Sequence, residues 1–266
     1  MRVERIPTLG DNYTYLIVDE ASNEAAVVDA PEAGPVVARV EALGVNLTKV
    51  LSTHNHWDHS AANPELAERY DAPVFGHVSD AQRIPGFTDG LEEGDRLRVG
   101  GLEAEVIFIP AHTRGHIAYV FPEAVFCGDT LFAAGCGRLF EGNPEMMHEA
   151  LNLKLKRLPD EILVYCGHEY TESNLRFALS LEPDNEAVQK KMEWVRKRRS
   201  QAASDWHDAG EAEFSIPSTI GEEKATNPFM RVDSPELIAS VRKAHPSADA
   251  DPVTILGHIR AMKDSF

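Results

Sequence analysis

Short apolar runs rich in β-branched residues, separated by polar turns, fill the first half of the chain and predict strands. Residues 13–18 and 25–28 are predicted to form a hairpin, and residues 48–52 a buried strand. Between them, residues 31–43 have apolar positions at helical spacing and are followed by Gly44, a residue that commonly ends helices. This alternation of strand, helix and strand indicates an α/β layered domain.

The pattern changes from strands to helices near residue 170. Before that point it predicts a helix at 61–70, a hairpin from 117–121 and 124–127, and further strands at 74–76, 102–109 and 162–166. Beyond it, apolar positions three and four residues apart predict helices at 173–181, 185–200, 235–244 and 252–263, with loops at 217–220 and 227–230. We therefore expect an α/β domain over residues 1–170 and a helical domain over residues 171–266.

The segment Thr-His-Asn-His-Trp-Asp-His at 53–59 places three imidazoles and a carboxylate directly after a predicted strand. On a helix, residues i and i+2 point in different directions, so His54 and His56 can share an ion only on a strand end or a tight loop. Imidazole nitrogen and carboxylate oxygen are ligands that zinc, manganese and iron accept. The segment therefore predicts a metal site rather than a polar surface loop.

Three more candidate ligands, His112, Asp129 and His168, also follow apolar strands, so loops at one edge of the sheets can bring them together. The candidates divide into two groups, with one carboxylate between them. The predicted ligands are His54, His56 and His112 for the first ion, Asp58, His59 and His168 for the second ion, and Asp129 as the bridge.

Two divalent ions held in this way lower the pKa of the water between them, so hydroxide is available near neutral pH. Such a centre hydrolyses an electrophilic carbonyl or phosphoryl group, and one ion can stabilise the oxyanion that forms. Asp58 and Asp129 are therefore the predicted catalytic residues, Asp58 orienting the bridging hydroxide as well as binding metal.

Composition and charge limit the partners and the compartment. A net charge of −17 disfavours binding to nucleic acid and to anionic membranes. No apolar run approaches the roughly 20 residues of a membrane span, and the N-terminus lacks an apolar signal core. The cysteines are too few for a disulfide framework and fit a reducing cytoplasm, although a thiol ligand stays open. The three cysteines are Cys127, Cys136 and Cys166. We therefore expect a monomeric protein of the cytoplasm.

Several motifs together resemble the metallo-β-lactamase superfamily. They are the segment 53–59, His112, Gly-Asp-Thr at 128–130 and Cys-Gly-His at 166–168. Within that superfamily, the segments 134–142, 166–171 and 260–266 are similar to those of the glyoxalase II family, the hydroxyacylglutathione hydrolases. The resemblance extends from the first strand to the last residue.

This resemblance implies a four-layer αββα sandwich with a C-terminal all-α domain that helps to bind glutathione. It implies hydrolysis of S-D-lactoylglutathione to D-lactate and glutathione, in methylglyoxal detoxification, at a centre of two divalent ions, with zinc favoured over iron or manganese. The seven ligands grouped above agree with the family's set. Carried over by position, the substrate contacts are Arg138, Tyr170, Arg260 and Lys263.

The chain departs from the family at two of these positions. Family members often have Lys at the position of Arg138, and Arg keeps the positive charge. They often have Tyr at the position of Phe140, and Phe lacks the hydroxyl that would make one hydrogen bond to glutathione. In an acidic protein, Arg138, Arg260 and Lys263 would form a local basic clamp for an anionic thioester. Without the resemblance, an exposed helix end with ordinary charges is the favoured interpretation of Arg260 and Lys263.

Other functions on the same scaffold remain alternatives at this stage. A β-lactamase is disfavoured by Asp58, because many of these enzymes have a cysteine ligand to the second ion at a different point. A lactonase, a ribonuclease or a glutathione persulfide dioxygenase stays open, the last resembling a one-iron site. A non-catalytic metal-binding protein is disfavoured because all seven ligand positions are filled.

Overall fold

The computed structural model describes residues 1–199, 206–210 and 212–266. The strands of this part of the chain are β1 (Arg2–Thr8), β2 (Asn12–Asp19), β3 (Glu24–Val28), β4 (Asn46–Leu51), β5 (Val74–His77), β6 (Asp89–Leu91), β7 (Arg96–Val99), β8 (Leu102–Phe108), β9 (Ile117–Val120), β10 (Ala124–Gly128), β11 (Leu131–Phe132), β12 (Gly135–Cys136), β13 (Leu163–Cys166) and β14 (Ser218–Thr219).

These strands form two six-stranded mixed sheets and one small hairpin. The first sheet has the order β1-β2-β3-β4-β5-β6, and the second has the order β14-β13-β10-β9-β8-β7. The hairpin pairs β11 with β12. In the first sheet β3, β4 and β5 are parallel, as expected for strands joined by helical crossovers.

Helices lie on the outer faces of the sheets and make up most of the C-terminal part. They are α1 (Ala33–Leu43), α2 (Trp57–Ser60), α3 (Asn63–Tyr70), α4 (Pro144–His148), α5 (Thr171–Leu181), α6 (Glu186–Arg199), α7 (Ile220–Thr226), α8 (Pro235–Ala244) and α9 (Pro252–Asp264). A π-helical segment, Glu149–Lys154, continues α4. Among the described residues no helix is both long and apolar enough to cross a bilayer.

Side-chain alternation along β2 explains why the first sheet is covered on both faces. Leu16 and Val18 pack with Val36 and Val40 of α1 in one apolar cluster, whereas Tyr15 faces the second sheet and joins the larger core. All eight residues of β2 are buried as a result. Helix, sheet, sheet and helix therefore stack as four layers, which confirms the expected αββα class.

The structure corrects several sequence-based predictions of elements. Residues 217–220 are not simply a loop, because Ser218–Thr219 pairs with β13 as β14 and Ile220 begins α7. Residues 227–230 include a 3₁₀ turn, Pro228–Met230. The helix predicted at 185–200 is observed as Glu186–Arg199, and residue 200 lies outside the described residues. The pattern also failed to predict β1, β7 and α4.

Candidate metal centre and substrate cleft

Four loops that follow strands meet at one edge of the two sheets. Strands β8, β10 and β13 run in the same direction, since β9 is antiparallel to both β8 and β10 and β13 is parallel to β10. Their carboxyl ends therefore lie together and deliver His112, Asp129 and His168. The segment after β4 in the other sheet delivers His54.

The first group of ligands consists of His54, His56 and His112. The Nδ1 atom of His56 lies 3.1 Å from Nε2 of His54 and 3.1 Å from Nε2 of His112. His56 is the N-cap of α2, so its backbone is extended and its ring can turn back towards His54. The Nδ1–H of His112 donates to the carbonyl oxygen of Arg138 at 2.9 Å, which leaves the Nε2 lone pair directed at the group.

The second group consists of Asp58, His59 and His168. Asp58 and His59 lie on the short helix α2, which the sequence pattern did not predict. The Nε2 atoms of His59 and His168 are 3.3 Å apart, and Oδ2 of Asp58 lies 3.6 Å from Nε2 of His168. The structure thus brings both predicted ligand groups together.

Asp129 lies between the two groups. Its Oδ2 is 3.5 Å from Nε2 of His112 and 3.3 Å from Nε2 of His168, while its Oδ1 is 3.4 Å from Nε2 of His59. Oδ1 is buried and has no hydrogen-bond partner among the described residues. A carboxylate oxygen in that position suits a cation that links the two groups.

Position 167 requires glycine, because its backbone lies close to the side chains of Asp129 and His59. A Cβ on Gly167 would lie 2.3 Å from Oδ1 of Asp129 and 2.6 Å from Cε1 of His59. The amide of Gly167 donates to the carbonyl of Gly128 at 2.9 Å, and its carbonyl accepts from the amide of Tyr13 at 2.8 Å. These bonds tie the ends of β10 and β13 to the other sheet.

Two carboxylates that orient the imidazoles were missed in the sequence analysis. Asp29 accepts from the backbone amide and the hydroxyl of Thr53 and lies 3.0 Å from Nδ1 of His59. Asp11 lies 2.8 Å from Nδ1 of His168. Such contacts fix the ring and leave Nε2 free for a metal. Asp29 follows the strand predicted at 25–28, so the strand-end argument used for Asp129 could have found it.

His116 lies behind the ligands as a buried hydrogen-bonding residue. Its ring stacks on that of His54 with the centroids 4.6 Å apart, and its Nε2 accepts from the backbone amide of Asp129 at 3.1 Å. His116 therefore supports the ligands but does not belong to any of the three-residue groups that could hold a metal ion among the described residues.

Burial and neighbouring charge set the protonation of the site. Burial lowers the pKa of His54 well below its ordinary value and also lowers the pKa of His56 and His112, so these rings are neutral. Burial also opposes the charged form of His168, but the carboxylates of Asp129 and Asp11 outweigh it and raise the pKa of His168 to about 9. A group that attracts protons this strongly also attracts divalent cations.

His59 and Asp129 each stabilise the charged form of the other. Burial disfavours the charged imidazole, yet Asp129 and Asp29 raise the pKa of His59 well above its ordinary value. Burial likewise disfavours the Asp129 carboxylate, but His168 and His59 outweigh burial and hold the pKa of Asp129 well below its usual range. Asp129 is therefore ionised.

The donor set fits divalent metal ions. Nitrogen ligands about 2.0–2.1 Å from a tetrahedral zinc ion lie about 3.3 Å from one another, and the nitrogen separations here are 3.1 Å in the first group and 3.3 Å in the second. The His and Asp groups can therefore hold divalent metal.

A cleft of about 530 Å³ opens over the ligands. His56, Asp58 and His168 line its floor, and all four predicted substrate contacts line its walls. The ring of Tyr170 stacks on that of His168 with centroids 4.8 Å apart. The cleft thus joins the metal ligands to the C-terminal helices. The predicted substrate contacts that line it are Arg138, Tyr170, Arg260 and Lys263.

The three cations of the cleft differ in freedom. Arg138 is exposed, and its Nε lies 3.7 Å from the carboxylate of Asp264. Lys263 donates from Nζ to the carbonyl of Ser173 at 3.2 Å. Arg260 is only 6% exposed, and its Nη1 and Nη2 donate to the carbonyl of Cys136 and to Asp264. Arg260 is therefore held by the protein itself rather than exposed at a helix end.

Aromatic side chains form the rim of the cleft. Phe140 is 61% exposed and lies with its ring centroid 5.2 Å from that of His112 and 5.8 Å from that of His56. Trp57, also exposed, lines the same opening. Phe140 thus places an aromatic ring without a hydroxyl beside the ligands.

The cysteines lie near the site but are buried free thiols. Burial raises the pKa of Cys136 to about 11, and the Cys127 thiol donates to the carbonyl of Leu131. None of the three lies in the candidate metal groups of the described residues.

Two family models match the chain: the metallo-beta-lactamase superfamily over residues 7–168, and the hydroxyacylglutathione hydrolase C-terminus over residues 169–266. A hydroxyacylglutathione hydrolase of Synechococcus sp. is 48% identical over 100% of both chains. Another, of Jannaschia sp., is 46% identical over 98% of this chain and 97% of its own length.

A solved structure, ETHE1 from Myxococcus xanthus, has a TM-score of 0.66 and 27% identity, covering 100% of this chain and 99% of its own. The matches confirm the family that the motifs resembled. The chain belongs to the hydroxyacylglutathione hydrolase family of the metallo-β-lactamase superfamily and is an enzyme of this type.

Proposed function

We propose that the protein hydrolyses S-D-lactoylglutathione to D-lactate and glutathione, as a thioesterase of methylglyoxal degradation. The observation that supports this most is the cleft itself, in which the His and Asp groups and three cationic side chains face one space. In a chain of net charge −17, cations gathered at one cleft favour an anionic substrate. A glutathione thioester has carboxylates that such cations bind.

Two divalent ions, for which we propose zinc, would be held by the seven ligands and would supply an activated water and a Lewis acid for the carbonyl oxygen. Manganese and iron are alternatives with the same ligands. His54, His56 and His112 would hold the first ion.

The chain's own residues then orient the reaction. Ionised Asp129 joins the two ligand groups, and Asp58, on the cleft floor, can orient the attacking water towards the thioester carbonyl. The C–S bond breaks and thiolate leaves without a dedicated general acid, because a thiol pKa near 8.5 makes thiolate a good leaving group.

Substrate binding is assigned to the cleft walls. Arg138 and Lys263 would bind carboxylate groups of glutathione, and Tyr170 would contact its peptide part with a hydroxyl that burial keeps protonated, since its pKa is raised. Arg260 leaves Nε buried and without a hydrogen-bond partner among the described residues, which makes it a donor for the same ligand.

We further propose a functional unit of one chain in a reducing cytoplasm. The three cysteines are buried free thiols, as expected in a reducing compartment. Residues 1–170 would hold the metal ions. Residues 171–266, whose first helix is α5, would complete the substrate cleft.

The test is steady-state hydrolysis of S-D-lactoylglutathione beside other acyl glutathiones and a thioester without glutathione, with metal analysis of the same sample. We expect the glutathione thioesters to have the higher kcat/KM and about two ions per chain. Equal rates with the glutathione-free thioester would contradict the substrate assignment. Oxygen consumption with glutathione persulfide, together with one iron per chain, would instead establish the dioxygenase alternative.

A further inference from the structure

The hairpin of β11 and β12 is held by buried side chains from the C-terminal part of the chain. Asn227 donates from Nδ2 to the carbonyls of Phe132 and Gly135 at 3.2 and 2.9 Å. Glu223 accepts from the amide of Ala134 at 2.8 Å. Both residues are buried, Asn227 with 0% and Glu223 with 1% of its surface exposed.

Two more C-terminal side chains complete the contacts. Asn174 of α5 donates to the carbonyl of Ala133 at 3.1 Å, and Arg260 of α9 donates to the carbonyl of Cys136 at 2.8 Å. Every residue from 132 to 136 therefore gives one backbone group to this set of side chains, which we call the hairpin cradle. Its members are Asn174, Glu223, Asn227 and Arg260.

The hairpin needs such support because its own pairing is small. Only Leu131 with Cys136 and Phe132 with Gly135 are in register, and Ala134 at the turn has a φ of 55°, which costs energy for a residue with a Cβ. Glu223 and Asn227 also bond to each other at 2.9 Å, so they act as one unit.

The hairpin connects the metal centre to the substrate wall. It begins two residues after Asp129 and ends two residues before Arg138, and Phe132 lines the cleft. The ring of Phe132 lies edge-on to Tyr170 with centroids 5.3 Å apart. A shift of the hairpin would therefore move Phe132 and Arg138 together.

We propose that Glu223 and Asn227 are positioning residues for substrate binding, acting through the hairpin although neither lines the cleft. The proposal rests on the proposed function for its substrate, a glutathione thioester. It assigns to the C-terminal part a second contribution besides direct contacts: it fixes the backbone on which Phe132 and Arg138 stand.

The test compares three variants in the full-length, metal-loaded enzyme. Glu223→Met keeps the side-chain volume but removes the acceptor for the Ala134 amide, and Glu223→Gln keeps an acceptor. Glu222→Ala is the matched control, because Glu222 lies on the same helix, is partly exposed and pairs with Lys191 instead of the hairpin.

We expect Glu223→Met to raise KM for S-D-lactoylglutathione on the order of tenfold, to change kcat less than about threefold, and to keep the wild-type metal content. Glu223→Gln and Glu222→Ala should stay within about twofold of wild type. A wild-type KM for folded Glu223→Met would overturn the proposal. So would an equal loss of kcat and metal, which would indicate damage to the Asp129 loop.

Two measurements do not depend on turnover. Calorimetric binding of S-methylglutathione, a thioether that is not hydrolysed, to the metal-loaded enzyme should weaken in Glu223→Met by the same factor as KM rises. Hydrogen exchange of a peptide covering residues 130–138 should be faster in Glu223→Met than in wild type and Glu223→Gln. If Glu223→Met does not fold, Asn227→Ala takes its place.

These readouts separate the two proposals. Failure of wild-type enzyme to hydrolyse S-D-lactoylglutathione would overturn the proposed function, whatever the hairpin does. Unchanged hydrogen exchange at 130–138 in Glu223→Met would overturn the hairpin cradle, even if the enzyme hydrolyses the thioester normally.

Discussion

We predict that Lys263 makes substrate binding sensitive to alkaline pH. Burial, together with the charges of Arg260 and Arg176, lowers the pKa of Lys263 to about 8. Below that pH the ammonium is charged and can bind a carboxylate; above it the charge is lost. A charge-assisted hydrogen bond at a partly exposed site contributes about 1.4 kcal/mol, which is about tenfold in affinity. We therefore expect KM to begin rising near pH 8 and to level off about tenfold higher.

The assay is KM for S-D-lactoylglutathione from pH 6.5 to 10, followed by the ultraviolet absorbance of the thioester. Lys263→Arg should keep a low KM across this range, because a guanidinium stays charged. Lys263→Met should have the raised KM already at pH 7 and should lack the additional rise near pH 8 that deprotonation of Lys263 causes in wild type. Titration of the substrate's own amine affects all three proteins alike. A Lys263→Met variant with the same pH-dependent rise as wild type would refute the reasoning.

Three further predictions concern stability, metal and specificity. Burial raises the pKa of the Glu223 carboxyl from 4.5 to about 7. As the pH rises, the unfolded chain therefore loses this proton at a lower pH than the folded protein does. The free energy of unfolding should consequently fall by up to about 3 kcal/mol between about pH 4.5 and 7. Urea melts should show this fall in wild type but not in Glu223→Gln, and equal slopes would contradict it. Asp129→Asn should abolish turnover and reduce bound metal while circular dichroism stays unchanged; near-normal activity with less than one ion per chain would contradict the proposed chemistry. Phe140→Tyr should lower KM about threefold if the added hydroxyl bonds glutathione, and an unchanged KM would show that the position contributes no such bond.

The sequence predicted the convergence of the ligands because that convergence follows from local rules. Apolar strands are recognisable by composition, and polar residues directly after them collect at a sheet edge. His54, His112, Asp129 and His168 all obey this rule. Asp29 obeys it as well, because it directly follows the strand predicted at 25–28, and was therefore predictable from the sequence in the same way.

Other features depend on contacts that no local pattern records. Strand β7 is a short edge strand with exposed Arg96 and Arg98, and its two apolar residues are too few to define a period. The π-helical segment after α4 lacks the 3.6-residue repeat that predicts helices. The bond from Glu223 to Ala134 joins residues 89 positions apart, and only the folded chain brings them together.

Arg260 shows why a residue's place in a family motif does not settle its role. The resemblance implied a substrate contact, yet two of its nitrogen atoms bond the Cys136 carbonyl and Asp264, and only Nε lacks a partner among the described residues. Replacing Arg260 would remove hairpin support and a candidate substrate donor together, so a raised KM could not tell the two apart. Glu223 and Asn227 hold the same hairpin without lining the cleft. Their variants therefore isolate the positioning effect, and the excess loss in an Arg260 variant measures its direct contact with substrate.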